Sequence, residues 1–224
     1  MQALIVGAML KDYNYLLKIY DKYDFKIAVD RGAEAFYKTK LMPDLILGDF
    51  DSINQSILHE YELSGVSFKK YNIDKDKSDL ELAIESAKEF DRIDFSGVLG
   101  GKLSHELFNV NLLVNLKRQG YKVSIREPNT RVEFLKDGDI LKIPKGLRVS
   151  IVPSEDLKSK ISLKGFKWNL NKAPVSKYSS LTLSNETIDY GYIKVYGDVI
   201  MTIIEPLEKK TRQEKRAYSS LQIS

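Results

Sequence analysis

The stretch Pro43-Asp44-Leu45-Ile46-Leu47-Gly48-Asp49-Phe50-Asp51-Ser52 reads as a short buried strand that stops in an acidic, glycine-containing turn. The apolar run at 44–47 is the strand, and apolar residues over 53–63 recur with a helical period. Strand, turn and helix in that order make half of a crossover unit, and the order repeats on both sides. Residues 3–8, 25–29, 93–99 and 122–125 read as further buried strands, with a weaker one at 66–71. Residues 13–20, 33–37, 80–90 and 107–116 carry the helical period. Such alternation means parallel pairing through right-handed crossovers. The expected fold class is therefore α/β, an open, mostly parallel sheet flanked by helices.

Beyond about Pro128 the period changes. Short alternating runs at 131–135, 140–143, 148–152, 160–163, 181–183, 192–195 and 199–204 are separated by turn signals such as Lys136-Asp137-Gly138-Asp139 and Pro144-Lys145-Gly146. No helix of useful length interrupts them, which predicts a small antiparallel β-sandwich. The expected division is 1–128, then 129–206, then a polar, basic tail at 207–224.

Composition narrows the function. The 224 residues are 43% hydrophobic and 29% charged, enough for a sizeable core in one or two domains. A net charge of +4 with the signs interleaved gives no reason to expect nucleic acid as a partner. Without cysteine there are no disulfides or thiolate-bound zinc, and His59 and His105 are too few for an imidazole zinc site. The apolar run at 1–8 is too short for a signal peptide or membrane span, so a cytoplasmic protein without membrane attachment is expected.

Ligands of open α/β sheets bind beyond the carboxyl ends of the strands. The segments there are Asp30-Arg31-Gly32, Gly48 to Ser52, residues 72–79, and Gly100-Gly101-Lys102. Asp49 and Asp51, at i and i+2 beyond a strand, share a face and repel each other unless a cation lies between them, which suits Mg²⁺. The bland alternative is that Asp51 or Ser52 merely caps the following helix, and both can hold at once. Ser78 and Glu81 have the spacing of a capping box, with Asp79 in the first turn, but this leaves Asp74 and Asp76 unexplained. The paired glycines at 100 and 101, ahead of a helix beginning near Ser104, suit a phosphate, although a tight turn alone would look the same. Leu103 stands where a P-loop would have Ser or Thr, and there is no G-x-G-x-x-G.

These elements, in this order, resemble the thiamine pyrophosphokinase family over about residues 3–205. The resemblance is carried by Asp30-Arg31-Gly32-Ala33, by the stretch from Pro43 to Ser52, by Asp74 to Asp79 followed by Glu81, and by Gly100 to His105. Gly165-Phe166-Lys167-Trp168-Asn169-Leu170 and Leu183-Ser184-Asn185-Glu186 complete it. Lys102 stands where arginine is usual, Ser104 where aspartate is usual, and Arg31 where glycine is common. Lysine neutralises phosphate as a point charge, without the bidentate fork of arginine.

The resemblance implies pyrophosphoryl transfer from Mg-ATP to the thiamine hydroxyl, with 1–128 as the nucleotide-binding catalytic domain and 129–206 as the thiamine-binding domain. It implies Asp49, Asp51, Asp74 and Asp79 as magnesium ligands, with Asp49, Asp51, Asp76 and Asp79 as the catalytic set. Asp30, Gly32, Gly100, Gly101, Lys102, Ser104 and His105 would line the nucleotide site, with a bare N-cap as the alternative for Ser104. Trp168 would stack on thiamine, and Ser184 and Asn185 would read its aminopyrimidine edge. A homodimer with thiamine between subunits is implied as well. Two rival readings are a haloacid-dehalogenase-type phosphatase and a non-catalytic thiamine- or nucleotide-binding protein. The first has a strand ending in Asp-x-Asp in its favour, but Ile53 replaces the expected Thr or Val and the β region has no explanation.

Overall fold

The computed structural model describes residues 1–71 and 76–207. Six strands, β1 (Gln2–Val6), β2 (Phe25–Val29), β3 (Leu45–Gly48), β4 (Ser67–Lys70), β5 (Arg92–Ser96) and β6 (Lys122–Arg126), pair in parallel in the order β4-β3-β2-β1-β5-β6. Helices α1 (Tyr13–Ile19), α2 (Gly32–Thr39), α3 (Gln55–Leu63), α4 (Asp79–Ser86) and α5 (Leu103–Arg118) connect them.

Strand side chains alternate between faces, and each face has its own core. Leu4, Ala28 and Ile46 meet Leu16, Phe36 and Ile57 from α1, α2 and α3. Ile5, Ile27, Leu47 and Phe95 meet Ala83 and Leu113 from α4 and α5. Each large side chain so buried contributes about 1.5–3 kcal/mol.

The sheet is mixed, which corrects the expectation of a mostly parallel one. Strand β7 (Arg131–Leu135) turns back against β6 with Ser124 opposite Glu133. The hairpin is closed by the Glu127 N–H donating to the Thr130 carbonyl at 2.9 Å. Pairing there satisfies the outer edge of β6, which would otherwise stay open. The sheet continues antiparallel through β13 (Ile200–Pro206) and β9 (Leu147–Pro153).

A second layer folds over this end, formed by β8 (Ile140–Ile143), β10 (Ser159–Phe166), β11 (Leu170–Val175) and the long β12 (Asn185–Gly197). Leu135, Val149, Ile151 and Ile200 face Ile161, Leu163, Phe166 and Ile193 across the gap. Two details differ from expectation. Strand β11 was not anticipated, because Asn171 and Pro174 disguise an edge strand. Residues 181–183 form no strand; buried Thr182 instead donates its hydroxyl to the Ile151 carbonyl at 2.8 Å.

Between the helical cover and the second layer the sheet face turns polar. Buried Asp94 accepts from Tyr23 Oη at 2.8 Å, Ser124 Oγ at 2.7 Å, Arg92 Nε at 3.0 Å and Arg126 Nε at 3.2 Å. Glu133 beside it pairs with Arg126 and Arg131. Burial, followed by the Asp94 charge, pushes the Tyr23 phenol well above its ordinary value.

Candidate active site

Parallel pairing puts the carboxyl ends of β1 to β6 on one rim. Left-handed backbone marks the turns there: Asp30 has φ +46° and Phe50 φ +67°. Gly48, at φ +146°, has a backbone that other residues rarely adopt, and a Cβ there would lie 1.7 Å from Asp30 Oδ1 and push that side chain away. The Asp30 carboxylate is therefore pressed against the end of β3, where the Asp49–Asp51 turn starts. Asp49 Oδ1 accepts the Asp51 N–H at 3.0 Å, which folds the turn and sends Asp51 outward. The two aspartates line a cavity of about 570 Å³ together with His59, Phe68 and Lys70.

Asp79 is the first residue of α4, behind the expected capping box, in which Ser78 N donates to Glu81 Oε2 at 2.8 Å. Asp76 is exposed on the approach to it, and Asp74 lies outside the described residues. Among the described residues no three carboxylates or imidazoles gather into a metal cage. Mg²⁺ usually takes only one or two carboxylates and completes its shell with water and substrate phosphates, so the donors of Asp49 and Asp51 fit that ion.

The strand order reverses between β1 and β5, which places the ligand crevice at their ends. Gly7 and Gly97 touch there: a Cβ on Gly97 would lie 2.4 Å from the Gly7 carbonyl oxygen. Gly100, Gly101 and Lys102 follow and are exposed, and the Gly100 N–H donates to Glu106 Oε1 at 2.8 Å. An anion thus already sits on the turn proposed for phosphate.

Two nucleotide-site expectations change. Gly32 is buried, and a Cβ would lie 2.0 Å from the Val6 carbonyl oxygen, so its lack of a side chain serves helix packing. Ser104 is not the N-cap of α5, since Lys102 holds that position and Ser104 is the second helical residue; Ser104 and His105 are both exposed.

Trp168 lies in the loop between β10 and β11, 54% exposed, with Lys167 Nζ 4.7 Å from its ring centroid. Asn185 is buried and its amide is committed to this loop. Its Nδ2 donates to the Trp168 carbonyl at 2.8 Å, and its Oδ1 accepts from Trp168 N at 3.2 Å and Glu186 N at 2.9 Å. It holds the tryptophan instead of presenting an edge to a ligand, which corrects its assignment as a direct reader of thiamine. Ser184, at φ +56°, is exposed beside it.

A family model described as "Thiamin pyrophosphokinase, catalytic domain" matches residues 16–125, and one described as "Thiamin pyrophosphokinase, vitamin B1 binding domain" matches residues 138–200. The chain is 31% identical over 173 residues to the thiamine pyrophosphokinase of Bacillus subtilis, covering 75% of this chain and 80% of that one. The chain belongs to the thiamine pyrophosphokinase family. The crystal structure of the Bacillus subtilis protein has the same fold, with a TM-score of 0.79 at 24% identity over 92% of this chain and 100% of that one. Thiamin pyrophosphokinase from Geobacillus thermodenitrificans superposes with a TM-score of 0.76 at 26% identity over 93% and 99%. Among the described residues no helix is long and apolar enough to cross a membrane.

For a thiamine pyrophosphokinase, the residues missed in the sequence are the supporting ones. Lys70 pairs in register with Gly48 and lines the aspartate cavity, but nothing sets it apart among the lysines of the chain. Glu127, at the end of β6, donates no pattern at all, yet it touches the turn ahead of Gly100. The phosphatase reading leaves 138–200 unexplained, and that is the segment matched as vitamin B1 binding.

Proposed function

We infer that the protein transfers the pyrophosphoryl group of Mg-ATP to the hydroxyl of thiamine, giving thiamine diphosphate and AMP. The carrying observation is the Asp49–Asp51 turn at the carboxyl end of β3, on the same rim as the Gly100-Gly101-Lys102 turn, in a chain matched by both family models. The thiamine oxygen attacks the β-phosphorus and the bridge to the α-phosphorus breaks, so the bridging oxygen and its electron pair leave with AMP. The hydroxyl proton goes to a rim carboxylate of the catalytic set, Asp49, Asp51, Asp76 or Asp79.

Asp49 and Asp51 would hold Mg²⁺ directly, with Asp74 and Asp79 reaching it through its water shell, and the ion when bound would neutralise phosphate charge. Gly100, Gly101 and Lys102 hold the nucleotide phosphates by backbone N–H groups and one ammonium, with Asp30, Ser104 and His105 on the same rim. Trp168 offers its open face to the flat thiamine cation, and Ser184 supplies a polar contact. Phosphorus NMR with thiamine and Mg-ATP tests the reaction. AMP and thiamine diphosphate must rise together, whereas ADP with thiamine monophosphate would refute it.

The thiamine site is completed by a second copy of the chain. Residues at the start of β9 lie at the same end of the sheet as the rim, and Asn185 pairs there with Val149. From β3 the path runs through β2, β1, β5, β6, β7 and β13 to β9, seven steps, on the order of 30 Å along the sheet at about 4.8 Å each. One thiamine cannot bridge that gap within a chain. A two-fold dimer brings Trp168 of one copy to Asp49 of the other, in two equivalent sites. Exposed Leu103, Leu107 and Phe108 on α5 are apolar surface that such an interface would cover. The domain division at 128 and 129 and a cytoplasmic location complete this reading.

A further inference from the structure

Glu127 stands at the end of β6, half-buried, and its side chain points across the rim to the end of β5. Its Oε1 accepts the Gly97 N–H at 2.7 Å, and its carboxylate also accepts the Val98 N–H. These two residues begin the turn that leads through Gly100 and Gly101 to Lys102. Gly97 needs its φ of +69°, and it is wedged against Gly7 so tightly that no side chain fits. Further along, Asn109 Nδ2 donates to the Val98 carbonyl at 3.0 Å. The turn is thus clamped at its root by one carboxylate and one amide.

We propose that Glu127 is a positioning residue for nucleotide binding: its carboxylate fixes the root of the Gly97–Lys102 turn so that the Gly100 and Gly101 amides face the phosphates. This rests on the reading of that turn as the phosphate site. The carboxylate accepts through charge-assisted bonds, whereas protonation turns one of its oxygens into a donor and weakens the acceptor that remains. Loss of the charge therefore leaves one amide facing a donor and loosens the turn.

The charge is held against its environment. Burial pushes the Glu127 carboxyl up to about 7, against the lowering effect of the two amides. Its neighbours are already engaged. Arg126 and Arg131 pair with Asp94 and Glu133, Glu205 pairs with Arg148 at 3.1 Å, and Lys142 lies 4.2 Å from the Tyr190 ring centroid. Tyr15, on the same cavity, is pushed above its ordinary value by its own burial. A carboxyl that binds its proton more tightly folded than unfolded favours the fold at low pH and costs it stability once ionised above about 7. Glu127 as a carboxylate thus serves ligand binding at the expense of stability.

The test compares wild type with Glu127→Gln across pH. At pH 8.5 the variant should show KM for ATP raised about tenfold, the loss expected for a hydrogen bond to an ionised group, with kcat within about twofold. At pH 6, where Glu127 is protonated, the ratio of wild-type to variant kcat/KM should shrink toward one. Titration of ATP is common to both proteins and cancels in that ratio. The variant should also melt higher than wild type at pH 8.5, where a residue serving only the fold would make it melt lower.

In wild type alone, the amide NMR signals of Gly97 and Val98 should titrate near pH 7, whether or not the variant folds. A ratio independent of pH, or amide signals that stay fixed between pH 6 and 8.5, overturns the proposal. Lys102→Ala is the control for the reading beneath it. If Lys102→Ala leaves KM for ATP unchanged, the phosphate turn itself is misassigned. If only Glu127→Gln behaves as wild type, the turn stands and the role of Glu127 falls.

Discussion

Compared with the Trp168 loop, the Asp49–Asp51 turn is positioned by its own backbone. Gly48 and Phe50 both take positive φ, Asp30 packs where a Cβ would be, and Asp49 folds the turn through a contact two residues away. Trp168 instead depends on a side chain 17 residues distant, since Asn185 takes both its N–H and its carbonyl. Backbone placement tolerates side-chain exchange as long as conformation is kept, whereas placement by one buried amide fails when that amide is removed. The two halves should therefore break differently.

The largest effect is expected on the rim. Asp49→Asn keeps Oδ1 and hence the turn, so the melting temperature should hold while kcat falls about 10²- to 10³-fold, the scale for losing one preorganised electrostatic group. Turnover within a few-fold of wild type at saturating Mg²⁺ would remove Asp49 from the metal site. The same variant tests the shared thiamine site. Asp49→Asn and Trp168→Ala, each inactive alone, should recover activity when unfolded and refolded together. A mixed dimer has one site with both defects and one with neither, and random pairing makes half the dimers mixed. Activity should return to roughly a quarter of wild type. No recovery, with exchange verified by differently tagged chains, would put both residues in one chain's site.

In the β half the expected effect is smaller and of another kind. Asn185→Ala should cost about 1–3 kcal/mol of stability, because it strands backbone groups of the loop. It should raise KM for thiamine roughly tenfold, the equivalent of one hydrogen bond's loosening, and leave KM for ATP alone. Trp168 is the only tryptophan, so its fluorescence anisotropy reports the loop directly. A variant with unchanged anisotropy and thiamine KM would show that Asn185 does not hold the indole.

How much of this the sequence disclosed follows the same divide. The α/β half was legible because burial on both faces writes long apolar runs, and because strand ends with Gly and Asp carry local signals. Ser78 and Glu81 likewise formed the expected capping box. Three features were not legible, one because its local signal is ambiguous and two because their partners are distant. The β6–β7 pairing that makes the sheet mixed is a choice of edge, and an antiparallel hairpin and a domain linker look alike in one dimension. Asn185 looked like a ligand contact because a buried amide and a binding amide are the same residue type until the partner is known. Glu127 had no signal, since the amides it holds are 30 and 29 residues earlier and any acceptor would do.

The smallest predicted effect sharpens the rim side of the comparison. Glu106 Oε1 holds the Gly100 N–H at 2.8 Å, from the first turn of α5, on the turn proposed for phosphate. A carboxylate there mimics the ligand: it accepts from the same amide and is favoured by the same helix end. When ATP binds, Glu106 must give way to the phosphates, and its charge opposes theirs. Glu106→Gln keeps an acceptor for Gly100 but removes the charge, so KM for ATP should fall about two- to threefold at low salt, the scale of one charge near a helix terminus. The gain should shrink as salt is raised, because the group is only partly buried and screening acts on it. KM for thiamine should not move. If KM for ATP rises instead, Glu106 is holding the turn open for phosphate, and the carboxylate belongs with Glu127 among the residues that build the site.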